Sequence, residues 1–480
     1  MRELGRYAFT LAAAGALCVA AARCSPSEAL VGGPDAGPTP DSGATPVDSG
    51  TPGTPDSGST TTPDGGTHPS PDAGSTGACV PNRGPANVPF DSGIPGYPAS
   101  HLAPALQLYG CDRLLLNPKI VTVTFPNDAN ATAYETLGDS LTATTWWDQV
   151  TRGYCDGQGN CIGRGMGGGH VELTTAPAGS YTDTPATDGG ASTIKDFITQ
   201  QVGNGTFPMP DNNTLYVIYF PWNVTINLAN GNQTAQSCLA FGGYHSQVPI
   251  TTPSGVVHAA YAIVPECLFP TIPVTEAMSH EVIEATTDPL VSDVTANGWY
   301  MDQSRDAWQA VSAAEVGDAC ALLLDFAALI NPTSKPEQYL ESGTIVQRSW
   351  SNASLLAGQD PCVPVQSSLY FNVAPSVEKL VMSTFGQKQT IQITGFSNQP
   401  TSDWQVKVLD FGFLTSLKTT LGLAFADGGT VATLNNGTVV DLTVTVNGTI
   451  DPDAGAPFVL VSYTPNGNFF SYWPGIVEVQ

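Results

Sequence analysis

The chain has 480 residues and a formal net charge of −26, and Lys and Arg are scarce throughout. This charge argues against nucleic acid as a partner, because binding to phosphates depends on Lys and Arg. Charged residues make up only 12% of the chain, whereas Gly alone accounts for 50 residues. Low charge with abundant Gly, Thr, Ser and Asn is typical of a secreted, β-rich protein.

The sequence of residues 1–24 predicts a targeting segment. Arg2 and Arg6 precede an apolar run, and small residues follow at its end, which is the pattern of a secretory signal. The run is too short for a comfortable membrane span. Cleavage after the small residues would release the protein, whereas lipidation of Cys24 would anchor it, although Arg23 fits a lipidation site poorly. We expect a protein that is secreted or anchored on the outer cell surface, with membrane contact only through such a lipid.

Residues 25–78 have the composition of a disordered tether. Pro-Asp pairs followed by small residues recur along them, and the segment contains no Lys, Arg or aromatic residue. Such a sequence cannot bury enough apolar surface to offset the chain entropy lost on folding. Its prolines and like charges keep it extended, so we expect a spacer that holds the folded part away from a surface.

The cysteines indicate an oxidising compartment. Of the ten in the chain, Cys18 lies in the signal and Cys24 at its end, which leaves an even number for disulfides. No Cys-x-x-Cys pair suggests a zinc knuckle. The predicted pairs are Cys155–Cys161, Cys238–Cys267, Cys320–Cys362 and Cys79–Cys111.

Residues 79–366 predict an α/β domain with a sheet core, because strand-like and helical segments alternate. The predicted strands are 120–125, 215–220 and 259–264, and the predicted helices are 133–141 and 194–202. The glycine-rich segment 163–170 lacks the Gly-Lys-Ser/Thr ending of a phosphate loop and predicts a mobile turn.

The densest chemistry lies between Pro273 and Pro289, where His280, Glu281 and Glu284 stand in the order His-Glu-x-x-Glu. The first proline can open a helix and the second ends it. On that helix His280 and Glu284 share one face, and Glu281 lies on the flank of the pair. This is the zincin arrangement, with Glu in place of the second His. The alternative is a solvated helical face on which the pattern arose by chance.

A zinc ion at this helix would lower the pKa of a bound water, and Glu281 would accept the proton as general base. A catalytic zinc takes three protein ligands and keeps one open position. His280 and Glu284 supply two, and we expect the third from Glu315 or Asp318, with the other orienting a ligand. Weaker candidates are Asp288, Asp302 and Asp306.

Two further polar residues are candidates for stabilising a developing oxyanion, namely His245 and Tyr300. His245 stands in a glycine-rich segment, where it either serves the substrate or the metal or is an ordinary surface residue. Trp146 and Trp147 line either a substrate cleft or the core, and their size favours the core.

A resemblance extends over residues 118–365. Its motifs, in order, are Trp146-Trp147, Gly243-Tyr244-His245, Ala260-Tyr261 leading to Cys267, His280-Glu281-Val-Ile-Glu284-Ala-Thr-Thr-Asp-Pro289, Gly298-Trp299-Tyr300 and Glu315-Val-Gly-Asp318-Ala-Cys320. In this set the chain resembles the phosphate-induced/EXORDIUM-like family of secreted proteins, which carries a similar helix, Asp-Pro or Asn-Pro stop, Trp-Tyr pair and Glu-Ile-Gly-Asp-x-Cys segment. The tether, the segment 163–170 and a shorter stretch after Cys320 depart from the plant members. The resemblance implies an extracellular, wall- or surface-associated protein, and it implies no particular reaction.

Residues 367–480 predict an all-β, immunoglobulin-like sandwich, because short strand-like runs recur at sandwich spacing and the segment has no His or Cys. The predicted strands are 389–394, 404–409, 438–446 and 458–463. Nothing in this region indicates catalysis, and we expect it to act as a spacer or adhesion unit.

Together these patterns favour a secreted or surface-tethered zinc-dependent hydrolase, a metallopeptidase acting on extracellular peptide or protein. One alternative is a non-enzymatic extracellular binding protein, in which the same residues form a structural metal site or a buried polar network. Another is a carbohydrate-binding protein that uses Trp146, Trp147 and Trp299.

Overall fold

The computed structural model describes residues 87–479, except for the internal segments 110–112, 185–191, 231–232, 268–271, 291–297, 303, 312–313, 383–384, 413–419 and 453. The signal, the tether and the predicted pair Cys79–Cys111 lie outside the described residues. None of the described helices is long and apolar enough to cross a membrane.

The central region contains short strands and helices in alternation. Its strands are β1 (Asn87–Pro89), β2 (Leu102–Pro104), β3 (Leu106–Leu108), β4 (Lys119–Thr124), β5 (Met166–Glu172), β6 (Ser180–Asp183), β7 (Thr214–Phe220), β8 (Thr225–Asn230), β9 (Gln233–Gln236), β10 (Tyr244–Thr252), β11 (Gly255–Pro265), β12 (Trp299–Met301), β13 (Gln338–Glu341), β14 (Thr344–Gln347), β15 (Ser349–Trp350) and β16 (Cys362–Val363). Its helices are α1 (Ala131–Ser140), α2 (Thr145–Val150), α3 (Thr193–Gly203), α4 (Val274–Thr287), α5 (Asp306–Ala310), α6 (Asp318–Ala328) and α7 (Asn352–Leu356).

A five-stranded sheet is the scaffold of this region. Its order is β10-β11-β7-β4-β5, in which β10 is an edge strand antiparallel to β11 and the other neighbours are parallel. Strand β7 is buried along its whole length, because Thr214–Phe220 is a nearly continuous apolar run that suits a strand covered on both faces. The prediction of a sheet-rich fold is confirmed.

The glycine-rich segment was wrongly predicted to be a turn. Met166–Glu172 forms β5, which pairs in parallel with β4. The register shifts between Ile120 and Val121, so Gly168 is the extra residue of a bulge. Glycine in a strand interior often marks such a bulge. The composition of the segment indicated a turn. The backbone hydrogen bonds that hold it extended come from β4, which is distant in sequence and leaves no local signal.

Helix α4 packs against β11, β10 and β14. Met278, Val282 and Ile283 are fully buried, which fixes the face that the helix turns to the core. The helix starts directly after Pro273, and the backbone N–H of Asp288 donates to the Glu284 carbonyl at 2.7 Å where it ends. The predicted helix between the two prolines is confirmed.

Three of the four predicted disulfides are confirmed. Cys155 pairs with Cys161, Cys238 with Cys267, and Cys320 with Cys362. The last of these joins α6 to β16, so the chain around Asp318 is fixed covalently to a distant segment. Such bonds suit an extracellular or other oxidising environment.

The C-terminal region is built of two sheets. Its strands are β17 (Phe371–Pro375), β18 (Lys379–Val381), β19 (Lys388–Ser397), β20 (Trp404–Asp410), β21 (Leu421–Phe425), β22 (Val431–Leu434), β23 (Val439–Val446), β24 (Ala456–Tyr463) and β25 (Phe470–Glu478). One sheet has the order β17-β19-β23-β21 and the other β18-β25-β24-β20-β22. Buried residues alternate with more exposed ones along β23, as expected for a strand with one face on a core.

The central and C-terminal regions share one apolar core. The Tyr472 hydroxyl donates to the Ala319 carbonyl at 2.7 Å, and the Trp308 ring lies 5.5 Å from that of Tyr472 and 5.9 Å from that of Trp473. The sheets change at the predicted boundary between 366 and 367, but burial is continuous across it. Two separate domains there remain a prediction.

Candidate metal centre

Helix α4 brings the first three candidate residues together. His280 and Glu284 are one turn apart, and the distance from His280 Nε2 to Glu284 Oε2 is 3.0 Å. Glu281 lies to the side, with its Oε1 4.0 Å from His280 Nε2. The His280 side chain is 15% exposed and that of Glu284 only 4%, so the His280 side is the more open one. The expected one-face pair with a flanking glutamate is therefore present.

The start of helix α6 closes the group from the other side. Asp318 Oδ1 lies 3.7 Å from His280 Nε2. The backbone N–H groups of Gly317 and Asp318 donate to Glu284 Oε1 at 3.1 and 3.0 Å. A Cβ on Gly317 would lie 2.7 Å from Glu284 Oε1 and 2.8 Å from His280 Nδ1, so only glycine allows this approach. Glu284 Oε1 is thereby fixed to the backbone, and Oε2 remains directed at His280.

Gln347, at the end of β14, orients His280. Its Nε2 donates to the Gly317 carbonyl at 2.9 Å and to the Arg348 carbonyl at 3.3 Å. Its Oε1 therefore faces His280 Nδ1, at 2.9 Å. An amide oxygen only accepts, so Nδ1 carries a proton and Nε2 is the nitrogen available as a ligand. A partner that fixes the ring and its tautomer in this way is what metal-binding histidines require.

His245 lies on the edge strand β10 and is buried. Its Nδ1 is 3.5 Å from Glu281 Oε2 and 3.7 Å from Glu284 Oε2. Its Nε2 is buried without a hydrogen-bond partner. The alternative of an ordinary surface histidine is wrong, because pairing of β10 with β11 carries this segment under helix α4.

Tyr300 links two further carboxyl groups. Its hydroxyl contacts Asp288 Oδ2 and lies 2.7 Å from Glu315 Oε1. A hydroxyl carries one proton, so the second contact is satisfied when one of the two carboxyls is protonated. Burial raises the pKa of Asp288, and burial with the charge of Glu284 raises the pKa of Glu315 well above its ordinary value. Glu315 thus contacts Tyr300 and lies behind the group formed by His280, Glu284 and Asp318.

The histidine charges keep Glu284 ionised. Burial acts to raise the pKa of Glu284, but the charge and hydrogen bond of His280 together with the charge of His245 hold that pKa below the ordinary value. Burial likewise acts to lower the pKa of His280, and the surrounding carboxylates, Glu284 first among them, together raise it well above 6.5. Burial raises the pKa of Glu281, although its contact with His245 acts to lower it. In the metal-free protein His280 and Glu284 therefore form an ion pair, and His280 would release its Nε2 proton when a cation binds there.

Three groupings of side chains have donor atoms within 4.8 Å of one another. They are His280 with Glu284 and Asp318, His245 with Glu281 and Glu284, and His245 with Asp288 and Glu315. A set of imidazole and carboxylate ligands suits divalent transition metals. His245 Nε2 is buried without a hydrogen-bond partner, and a bound cation would satisfy it. The residues fit a divalent cation. A buried cluster able to hold a metal is confirmed, and zinc as that metal stays a prediction.

The structure gathers the predicted site residues into one region, except for the weaker candidates Asp302 and Asp306, which contact Gln107 and Lys379 instead. Asp318 joins His280 and Glu284, whereas Glu315 groups with His245 and Asp288. Sequence analysis ranked Asp288 too low and missed Gln347, because a lone glutamine at a strand end has no local signal for metal binding. We call these seven residues the metal cluster: His245, His280, Glu281, Glu284, Asp288, Glu315 and Asp318.

The three tryptophans proposed for carbohydrate binding lie inside the protein. Trp146 and Trp147 are fully buried and donate through Nε1 to the carbonyls of Gln347 and Gly163, at 2.7 and 3.0 Å. Trp299 is 9% exposed and donates to the Cys155 carbonyl at 3.1 Å. Their rings are packed in the core, so they offer no open stacking face.

No family model matches the chain, and neither does any curated protein. Among solved structures, the titin M3 domain is similar at 11% identity and a TM-score of 0.15, covering 22% of this chain and 96% of that domain. The secreted serine protease VesC from Vibrio cholerae is similar at 14% identity and a TM-score of 0.17, covering 30% of this chain and 32% of that protein. Both scores are too low to support an argument about fold or function.

Proposed function

We propose that the protein is a secreted or surface-tethered zinc-dependent hydrolase that cleaves peptide bonds in extracellular peptides or proteins. The observation that carries the proposal is the arrangement of Glu284, Asp318 and Glu281 around His280. His280 Nε2 lies 3.0 Å from Glu284 Oε2 and 3.7 Å from Asp318 Oδ1, and Glu281 flanks it at 4.0 Å. One nitrogen and two oxygen ligands suit a catalytic zinc with an open position.

His280, Glu284 and Asp318 would hold the ion. A zinc ion bound there supplies Lewis acidity and lowers the pKa of a coordinated water. Gln347 holds the His280 ring so that Nε2 points into the group. The raised pKa of Glu281 suits a residue that accepts a proton during attack on the substrate and releases it afterwards.

The finer fold assignments belong to the same proposal. We infer a zincin-like central domain, because a mixed sheet with an antiparallel edge strand packs against the His-Glu-x-x-Glu helix. We infer an immunoglobulin-like C-terminal sandwich from its two packed sheets of four and five strands. We infer likeness to the EXORDIUM-like family from the ordered motifs, three of which contain residues of the metal cluster. Secretion is supported by the signal-like start and the three disulfides.

A non-enzymatic extracellular binding protein is the second candidate. Burial of Glu281 and Glu284 and the contacts of Tyr300 with two carboxyls favour it, because these groups already satisfy one another. Tyr300 would have to leave those carboxyls to stabilise an oxyanion. In this candidate the cluster is a structural metal site or a polar network.

Substitution of Glu281 by Gln separates the two. Glu281→Gln keeps the shape of the side chain and removes the base, so we expect unchanged zinc content and folding with a roughly 100-fold or greater loss of peptide hydrolysis. Zinc content is measured by elemental analysis and hydrolysis with a fluorogenic peptide library. Glu276→Gln, a buried carboxyl on the same helix outside the metal cluster, is the control and should retain activity.

Equal rates for Glu281→Gln and the parent would remove Glu281 from the chemistry. If no cation binds at micromolar zinc, or zinc binds and no peptide is cleaved, the binding protein is the better description.

A further inference from the structure

The metal cluster contains two sets of donors that share no residue. The first is His280 with Glu284 and Asp318, and the second is His245 with Asp288 and Glu315. Each set has one imidazole and two carboxyl groups, and within each set the donor atoms lie within 4.8 Å of one another. A mononuclear site needs only one such set.

The two histidines do not belong to the same set. None of the three groupings of donor atoms contains both. Two nitrogens on one zinc ion each lie about 2.0–2.1 Å from it, and so stay within about 4.2 Å of each other. Each histidine therefore has its own carboxylate partners, at a different place in the cluster.

The cluster offers more donors than one ion needs. Two imidazoles and five carboxyl groups lie together in a largely buried region. One cation at the His280 set would take three of these seven side chains, which leaves the His245 set for another ion. In that second set His245 Nε2 is buried without a hydrogen-bond partner.

Glu284 connects the two sets. Its Oε1 is held by the backbone of Gly317 and Asp318. Its Oε2 lies 3.0 Å from His280 Nε2 and 3.7 Å from His245 Nδ1. Glu284 therefore lies between the two sets, which suits two-metal sites, in which the ions are about 3.5–4 Å apart.

We propose that the cluster binds two divalent transition-metal ions, one at His280, Glu284 and Asp318 and one at His245, Asp288 and Glu315, with Glu284 between them. This rests on the proposed function for the first ion and adds the second. Glu281 then remains outside both sets, which leaves it available as the base.

The test is metal stoichiometry of the full-length protein. Chelator-treated protein is dialysed against micromolar zinc and its zinc content is measured by elemental analysis. We expect two equivalents for the parent, and one each for Asp288→Asn and Glu315→Gln. Glu276→Gln is the control and should keep two. In protein loaded with manganese instead, magnetic coupling in electron paramagnetic resonance spectra would support two neighbouring ions.

One equivalent at saturation in the parent, or two uncoupled manganese ions, overturns the proposal even if the Asp288 and Glu315 variants fail to fold. One equivalent with zinc-dependent peptide hydrolysis leaves the proposed function standing and removes only the second ion. Two coupled ions without hydrolysis support the pair and remove the peptidase activity. No bound zinc removes both.

Discussion

Helix α4 carries two kinds of buried carboxyl group, and they behave differently. Glu276, in the first turn, accepts a hydrogen bond from Gln338 Nε2 at 2.8 Å and feels the charge of Glu337, whose two oxygens are buried without hydrogen-bond partners. We call Glu276 and Glu337 the acid pair. Burial and this mutual charge raise the pKa of Glu276 to about 8, and burial raises that of Glu337 to about 7.

Glu284, two turns further on, is equally buried but stays ionised because His280 and two backbone N–H groups face it. The comparison teaches that burial alone turns a carboxyl group into a neutral one. A ligand needs, in addition, partners that hold its charge and direct its lone pairs. Glu284 has such partners, whereas the acid pair has few.

The largest expected effect is loss of the central imidazole. His280→Ala removes the nitrogen common to all the short contacts of the first set, so zinc affinity should fall by more than the roughly 10- to 100-fold that loss of an outer partner costs. Zinc titration by calorimetry measures the change. A zinc affinity equal to that of the parent would show that zinc binds elsewhere in the protein.

Removal of the glutamine that orients His280 should have the next largest effect. Gln347→Leu leaves His280 Nδ1 without its acceptor, so zinc affinity should decrease by about 10- to 100-fold while the protein stays folded. The matched control is Gln338→Leu, which removes the corresponding glutamine from the acid pair. If both variants bind zinc alike, Gln347 does not position the ligand.

The acid pair should make stability depend on pH in a defined direction. The folded-state pKa of Glu276 is raised from 4.5 to about 8, so the folded state keeps a proton that the unfolded chain loses. This contribution is complete below pH 4.5 and is lost as the pH rises towards 8, at up to about 1.4 kcal/mol per pH unit for one proton.

Glu276→Gln is neutral at every pH and should flatten that dependence. Urea unfolding of metal-free protein at pH 5.5 and 7.5 gives the free energies of unfolding, and the parent should lose more stability than the variant over this interval. Identical losses in the two proteins would mean that Glu276 ionises normally in the folded state.

The smallest effect is expected from residues outside both the metal cluster and the acid pair. Deletion of residues 25–78 should leave the melting temperature almost unchanged, because a segment of this composition contributes no packing. Differential scanning calorimetry of the shortened protein tests this. A decrease of several degrees would show that the segment docks on the folded part.

Features that depend on near neighbours along the chain could be predicted from the sequence. Helix α4 could be predicted because two prolines bound it, and the spacing of His280 and Glu284 then places both on one face. The buried strand at Thr214–Phe220 follows from its apolar run. The even number of cysteines indicated disulfides, but the sequence could not determine which cysteines pair.

The distant residues that meet this helix could not be predicted and are known from the fold. Gln347 reaches His280 across 67 positions of sequence, and Asp318 reaches Glu284 across 34. Asp318 rather than Glu315 lies beside His280 because of how the start of α6 approaches α4, where Gly317 leaves room for nothing larger. The sequence around His245 indicated a loop, whereas the pairing of β10 with β11 places His245 in a strand. Such contacts arise from sheet pairing and packing, which join segments that carry no mark of each other in the sequence.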